Sequence, residues 1–187
     1  MQRLICKLQN LRTAEKRLVD LLVDMFVPVV FHKGAILVTP IYSTPVLYFI
    51  EEGLVRGYFD SDGAQQTSWI TESGFLLPTK GIFSSNPGIE YISFLKDSHC
   101  YALNLASVEE LAIKEPRIYR MLLEIYEEGL REGKERELLL RIKNAGERFL
   151  YFESQHPRLI YLPIHDILAS ILNIESKYLY RIKKIYR

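Results

Sequence analysis

The sequence predicts an α+β protein: a helical start, a β barrel or sandwich in the middle, and a helical C-terminal part ending in a helix-turn-helix. Three observations predict it. Between Val27 and Asn104, short runs rich in Val, Ile, Tyr and Phe are broken by turn residues about every ten positions. On both sides of that stretch apolar residues recur at steps of three and four. The last segment holds two short apolar periodicities around a tight break, and the second is basic.

Residues 4–26 carry Leu4, Leu8 and Leu11, then Leu18, Leu21, Leu22, Met25 and Phe26, a pattern that helix–core packing explains fully. The strand-like runs follow: VPVVF before His32-Lys33-Gly34, VLYFI before Glu51-Glu52-Gly53, and LVRGYF before Asp60-Ser61-Asp62-Gly63. TSWI, IEYISFL and CYALNL complete them, with Asn86-Pro87-Gly88 as a further turn. Connections this short favour antiparallel neighbours.

Helical texture resumes after Ser107. Pro116 suits the first turn of a helix. From there Ile118, Leu122, Ile125 and Gly129 step along a narrow stripe with charged flanks, the pattern of a two-helix seam. Gly129 and Gly133 lie one turn apart, and each costs about 1 kcal/mol of helix propensity. Close approach of a partner helix would offset that cost; the other reading is a helix packed on its own β domain. Asn144-Ala145-Gly146-Glu147 has the form of an N-cap with a returning acid. The helix it starts ends before Pro157. A next helix buries Ile164, Ile167, Leu168, Ile171 and Leu172. Asn173-Ile174-Glu175 is the break, with Asn173 tolerant of a left-handed turn. A final helix turns Ile174, Leu179, Ile182 and Ile185 inward and Lys177, Arg181 and Lys184 elsewhere.

The formal net charge is only +1, yet it is unevenly spread. Residues 157–187 hold six basic residues against two acidic ones, and from Lys177 onward five basic residues meet no acid. A basic end on an acidic body points to a polyanion for that end alone. No apolar run approaches the ~20 residues that span a bilayer, so no membrane partner is expected. The start MQRLICKLQN carries early charges and no small-residue cleavage site, which reads as a cytoplasmic chain without a secretory signal. Two cysteines, Cys6 and Cys100, cannot supply a four-thiolate zinc or iron–sulfur site.

In order and spacing, residues 25–187 resemble the Crp/Fnr family of bacterial transcription regulators. The pieces that carry the resemblance are Leu47-Tyr-Phe-Ile-Glu-Glu-Gly53, Asp60-Ser-Asp-Gly63, Gly81-Ile-Phe83 after Gly74-Phe75, and the stretch from Leu168 to Ile182. The resemblance implies a double-stranded β-helix of the jelly-roll, cyclic-nucleotide-binding type over residues 1–115. It further implies a dimerisation helix over 116–140 and a helix-turn-helix DNA-binding part over 141–187. The expected partners are double-stranded DNA, a second copy of the chain and a small-molecule effector. No enzyme activity, cofactor or metal is expected.

The same resemblance exposes two departures. Where the family holds the ribose with Glu and the cyclic phosphate with Arg and Ser, this sequence places Thr79, Ile89 and Glu90, with Lys80 beside Thr79. Losing a charge-assisted phosphate contact removes roughly 1.5–3 kcal/mol. The pocket is therefore expected to be degenerate, with an effector other than cyclic AMP or none. The sequence ends at Arg187, directly after the recognition helix, so the family's β-wing is absent or abbreviated and fewer phosphate contacts are expected. The recognition helix is expected to present Ser176, Lys177, Tyr178, Tyr180, Arg181 and Lys184. Arg181 matches the family's arginine and could donate twice to guanine.

Two other readings stay open. A cupin-like metal enzyme needs clustered ligands, but His32, His99, His156 and His165 are not paired at i+2 or i+4, and no Walker, GxSxG or HExxH motif occurs. Alternatively, the chain is a protein-interaction module whose helix-turn-helix no longer binds DNA.

Overall fold

A computed structural model describes residues 1–40, 44–77 and 88–186. Two helices come first, α1 (Gln2–Gln9) and α2 (Lys16–Met25). Eight strands follow: β1 (Val27–Phe31), β2 (Ile36–Val38), β3 (Val46–Glu52), β4 (Val55–Ser61), β5 (Ala64–Thr71), β6 (Gly74–Leu76), β7 (Tyr91–Phe94) and β8 (Ser98–Asn104). They form two four-stranded antiparallel sheets, ordered β1-β8-β3-β6 and β2-β7-β4-β5. The β4–β5 hairpin turns on Asp62 and Gly63, both at positive φ, the two-residue turn whose twist matches a hairpin. Two strands escaped the sequence reading. β2 and β6 have three residues each, too few to show an alternation.

The strand period sorts side chains to the two faces of each sheet. Between the sheets lie Val38, Ile50, Val55, Leu76, Ile92, Phe94 and Cys100. Phe31 stacks on Phe94 at 4.4 Å. Burial pushes the Cys100 thiol up to about 11, so it is an inert core side chain. On the outer face of the first sheet, Leu47, Phe49 and Leu103 meet Leu4, Leu8, Leu18 and Leu22 from α1 and α2. The single helical zone expected over 4–26 is broken at residues 10–15. There Glu124 accepts the backbone N–H groups of Arg12 (2.5 Å) and Thr13 (3.0 Å), replacing the partners a continuous helix would give.

After β8, Asn104 caps α3 (Leu105–Lys114) by accepting from Ala106 N–H. Helix α4 (Arg117–Arg141) follows. Its stripe Ile118, Leu122 and Ile125 is buried with Met121 against the chain's own roll. A Cβ at Gly129 would lie 2.4 Å from Leu77 Cδ1, so the close approach that glycine permits is to this chain's own Leu77. The expected partner seam along Ile118, Leu122, Ile125 and Gly129 is therefore corrected: those residues hold α4 to its own β domain. A different face of α4 is apolar and bare, with Tyr119, Leu123, Leu130 and Leu138 all exposed. No helix among the described residues is long and apolar enough to cross a membrane.

The chain ends in α5 (Ala145–Gln155), a 3-10 turn (Leu159–Tyr161), α6 (His165–Ile171) and α7 (Ser176–Ile185). Asn144 caps α5 through Gly146 and Glu147 N–H, as its spacing predicts. Phe149, Phe152, Leu159, Ile160, Leu168, Leu172, Leu179 and Ile182 form their core. Leu54 and Ile70 of the second sheet belong to the same core, and Thr67 N–H donates to Ser170 Oγ at 2.8 Å. The terminal helices are thus packed onto the roll.

Candidate nucleic-acid interface

Helices α6 and α7 are joined at Asn173, which adopts φ 49°, the left-handed conformation its side chain tolerates. Ile174 N–H returns to the Ala169 carbonyl at 3.0 Å, closing the end of α6. Beneath this turn lies Arg148, buried, on α5. It donates to the carbonyls of Leu172 (2.7 Å), Ile142 (2.6 Å) and Asn173 (3.4 Å). One guanidinium thus joins the end of α4, the helix α5 and the turn before α7. Its planar fork suits three acceptors in fixed directions. Sequence reasoning missed it, because a lone arginine on a helix carries no sign of burial.

At the start of α7, Ser176 Oγ donates to Asp166 Oδ1 at 2.6 Å, and His165 Nε2 donates to the Ser176 carbonyl at 2.9 Å. The hydroxyl proton of Ser176 is committed to holding α7 on α6. Its oxygen, half-buried, keeps the acceptor side of the hydroxyl. Leu179 and Ile182 are buried below. On the opposite face Lys177, Arg181 and Lys184 are exposed, one helical turn apart. Lys177 and Arg181 form no ion pair or hydrogen bond among the described residues. Lys183 instead turns back to the Ile160 carbonyl at 2.9 Å. Tyr178 and Tyr180 are both exposed. Lys184 Nζ lies 4.9 Å from the centre of the Tyr180 ring, a cation–π pair that steadies both side chains. Glu175, at the N-cap of α7, borders a shallow depression with Ile174, Lys177, Tyr178 and Arg181.

Of the residues expected to mark the altered nucleotide pocket, Thr79 and Lys80 lie outside the described residues. Ile89 is 57% exposed and so offers no buried support to a ligand. Glu90 is buried, and the Trp69 indole N–H donates to its Oε2 at 3.1 Å. At the position the resemblance assigns to a phosphate donor stands an acceptor already in use. Among the described residues, no group of three or more His, Cys, Asp or Glu could hold a metal ion.

No family model matches the sequence, and neither does any curated protein. Solved structures do match. FixK2 from Bradyrhizobium japonicum superposes with a TM-score of 0.72 at 18% identity, over 86% of this chain and 83% of that one. The c-di-GMP-responsive global regulator CLP of Xanthomonas campestris gives 0.69 at 15% identity, over 92% and 91%. The catabolite activator protein of Thermus thermophilus gives 0.57 at 19% identity, over 95% and 85%. These three are Crp/Fnr regulators. The chain has the Crp/Fnr fold. Within that fold the roll, the long helix and the terminal helix pair follow the order the sequence predicted.

Proposed function

We propose that this chain is a DNA-binding transcription regulator that acts as a homodimer in the cytoplasm. The reading assigns sensing to residues 1–115, pairing to 116–140 and DNA contact to 141–187. The observation that carries it is the outer face of α7. Lys177, Arg181 and Lys184 project from one side of a helix whose other side is sealed on Leu179 and Ile182. A row of exposed cations, with no acid paired to Lys177 or Arg181, suits the charge of a major groove. Arg181 reads guanine through O6 and N7, while Lys177 and Lys184, with Tyr178 and Tyr180 at the edges, meet phosphates or neighbouring bases. Pairing runs along the bare face of α4 at Tyr119, Leu123 and Leu130. It holds two copies of α7 near one DNA turn apart, roughly 34 Å.

The roll does not take a cyclic nucleotide in this reading, because Glu90 and Ile89 replace the groups that would neutralise the cyclic phosphate. The enzyme and pure interaction readings lack a comparable observation. Selection of bound duplexes from a random pool tests the proposal. A two-fold symmetric site with binding that weakens steeply with salt is expected. Failure to enrich any sequence, with no salt-dependent binding, would overturn it. Calorimetry with cyclic AMP is expected to give no heat of binding, and micromolar affinity would refute that part.

A further inference from the structure

The outer face of α7 is one-sided in its chemistry. Lys177 and Arg181 are four residues apart, so they stand on one face with a rise of about 6 Å between them. Both are exposed, and neither forms an ion pair or hydrogen bond among the described residues. An ammonium and a guanidinium only donate. The nearby acceptors lie off this face. Glu175 precedes the first turn at the N-cap, and Ser176 is half-buried beside Asp166. Residues one or two positions from Lys177 do not share its face. Tyr180 does share it, with its ring edge-on to His165 at 6.5 Å and under Lys184 at 4.9 Å. Its hydroxyl both donates and accepts, so it sets no preference of its own.

Base edges differ in what they offer a face of donors. In the major groove guanine shows two acceptors side by side, N7 and O6. Adenine shows an acceptor beside a donor, thymine one acceptor beside a methyl group, and cytosine a donor. Two hydrogen bonds from one cation form only at guanine, and at cytosine donor meets donor. Lys177 lies in the first turn of α7, the part of a recognition helix that meets base edges. Lys184 lies seven residues further on and rests on Tyr180, which suits it to the backbone. A rise of about 6 Å along a helix covers roughly two base steps of about 3.4 Å.

We propose that Lys177 reads a base, and that each half-site carries guanine at two positions about two steps apart, one for Lys177 and one for Arg181. The inference deepens the regulator reading and rests on it for the contact with DNA. It adds the order of bases that α7 accepts. The choice at the first position follows from donor against acceptor, so a carboxylate placed there reverses it.

Selection from a random pool is run with the full chain, with Lys177→Glu and with Lys177→Met. The native chain is expected to enrich both guanines, each favoured roughly five- to a hundredfold over other bases. In Lys177→Glu one of the two positions should turn to cytosine, whose N4 group donates to a carboxylate. Lys177→Met should lose the preference at that same position and keep the other; it decides the matter if the glutamate variant binds too weakly to select. A site without the second guanine overturns this inference alone. So does a uniform loss across all sequences in Lys177→Met, with base preferences kept and the salt slope reduced by about one, which is the mark of a phosphate contact. No salt-dependent binding of the native chain to any duplex overturns the regulator reading and this inference with it.

Discussion

Replacing Arg148 by methionine keeps a long side chain in its slot but removes the donors to Leu172, Ile142 and Asn173. Two of those bonds are short, at 2.7 and 2.6 Å, and the third is long at 3.4 Å. A hydrogen bond from a charged group contributes roughly 1.5–3 kcal/mol, and a buried carbonyl left without a donor is penalised by a similar amount. Counting the two short bonds and discounting the third, the loss should be about 3–5 kcal/mol. Urea unfolding measures it with two probes: Trp69 fluorescence for the roll and far-ultraviolet ellipticity for the helices. At an m value of about 2 kcal/mol per molar, the midpoint should fall by roughly 1–3 M. Both probes should move together, because Leu54 and Ile70 place the terminal helices and the roll in one core. A loss below about 1 kcal/mol would refute the reasoning, since the buried Leu172 carbonyl and the part-buried Ile142 carbonyl would both lose a charged donor.

Arg181→Ala should remove about 1–3 kcal/mol of base discrimination at one position of each half-site while the chain remains dimeric; selection with the variant checks this, and an unchanged footprint contradicts it. Leu123→Glu combined with Leu130→Glu places charges on the bare face of α4 and should yield monomers by light scattering with weakened operator binding; intact dimers would move the seam elsewhere. Burial pushes the Glu124 carboxyl up, but the N–H groups of Arg12 and Thr13 and the Thr13 hydroxyl outweigh it and hold it below the usual glutamate range. A depressed folded value means its stabilisation is complete above the unfolded value and fades as pH falls through the folded one. Glu124→Gln should therefore lower the melting temperature at neutral pH and change it little near pH ~3; an equal deficit at both would argue against the carboxylate's role.

Long periodic segments were legible in the sequence. Six of the eight strands, the long helix, the Asn144 cap and the left-handed Asn173 all rest on local chemistry that the sequence spells out. What was not legible depended on partners distant in the chain. Glu124 breaks the first helical zone from more than a hundred residues away. The stripe Ile118–Ile125 has the same spacing whether it faces a second copy or its own sheet, and only Leu77 against Gly129 distinguishes the two. The charged row of α7 was visible, but its division was not: Ser176 and Lys183 are bound inward by Asp166 and the Ile160 carbonyl. Arg148 had no signal at all, since its value lies in three carbonyls gathered from two separate turns.

The apolar pair Leu54 and Ile70 ties the terminal helices to the barrel through a shared core. Grafting residues 141–187 onto a foreign receptor would carry along a raw hydrophobic scar around Ile171, and the amputated barrel would bear its mirror image. Each half is thereby a chaperone for the other, and a substitution that reshapes one must be answered across that seam. Lineages of such a chain would vary the roll and the terminal helices in concert, through paired changes at this junction, more readily than by shuffling of parts.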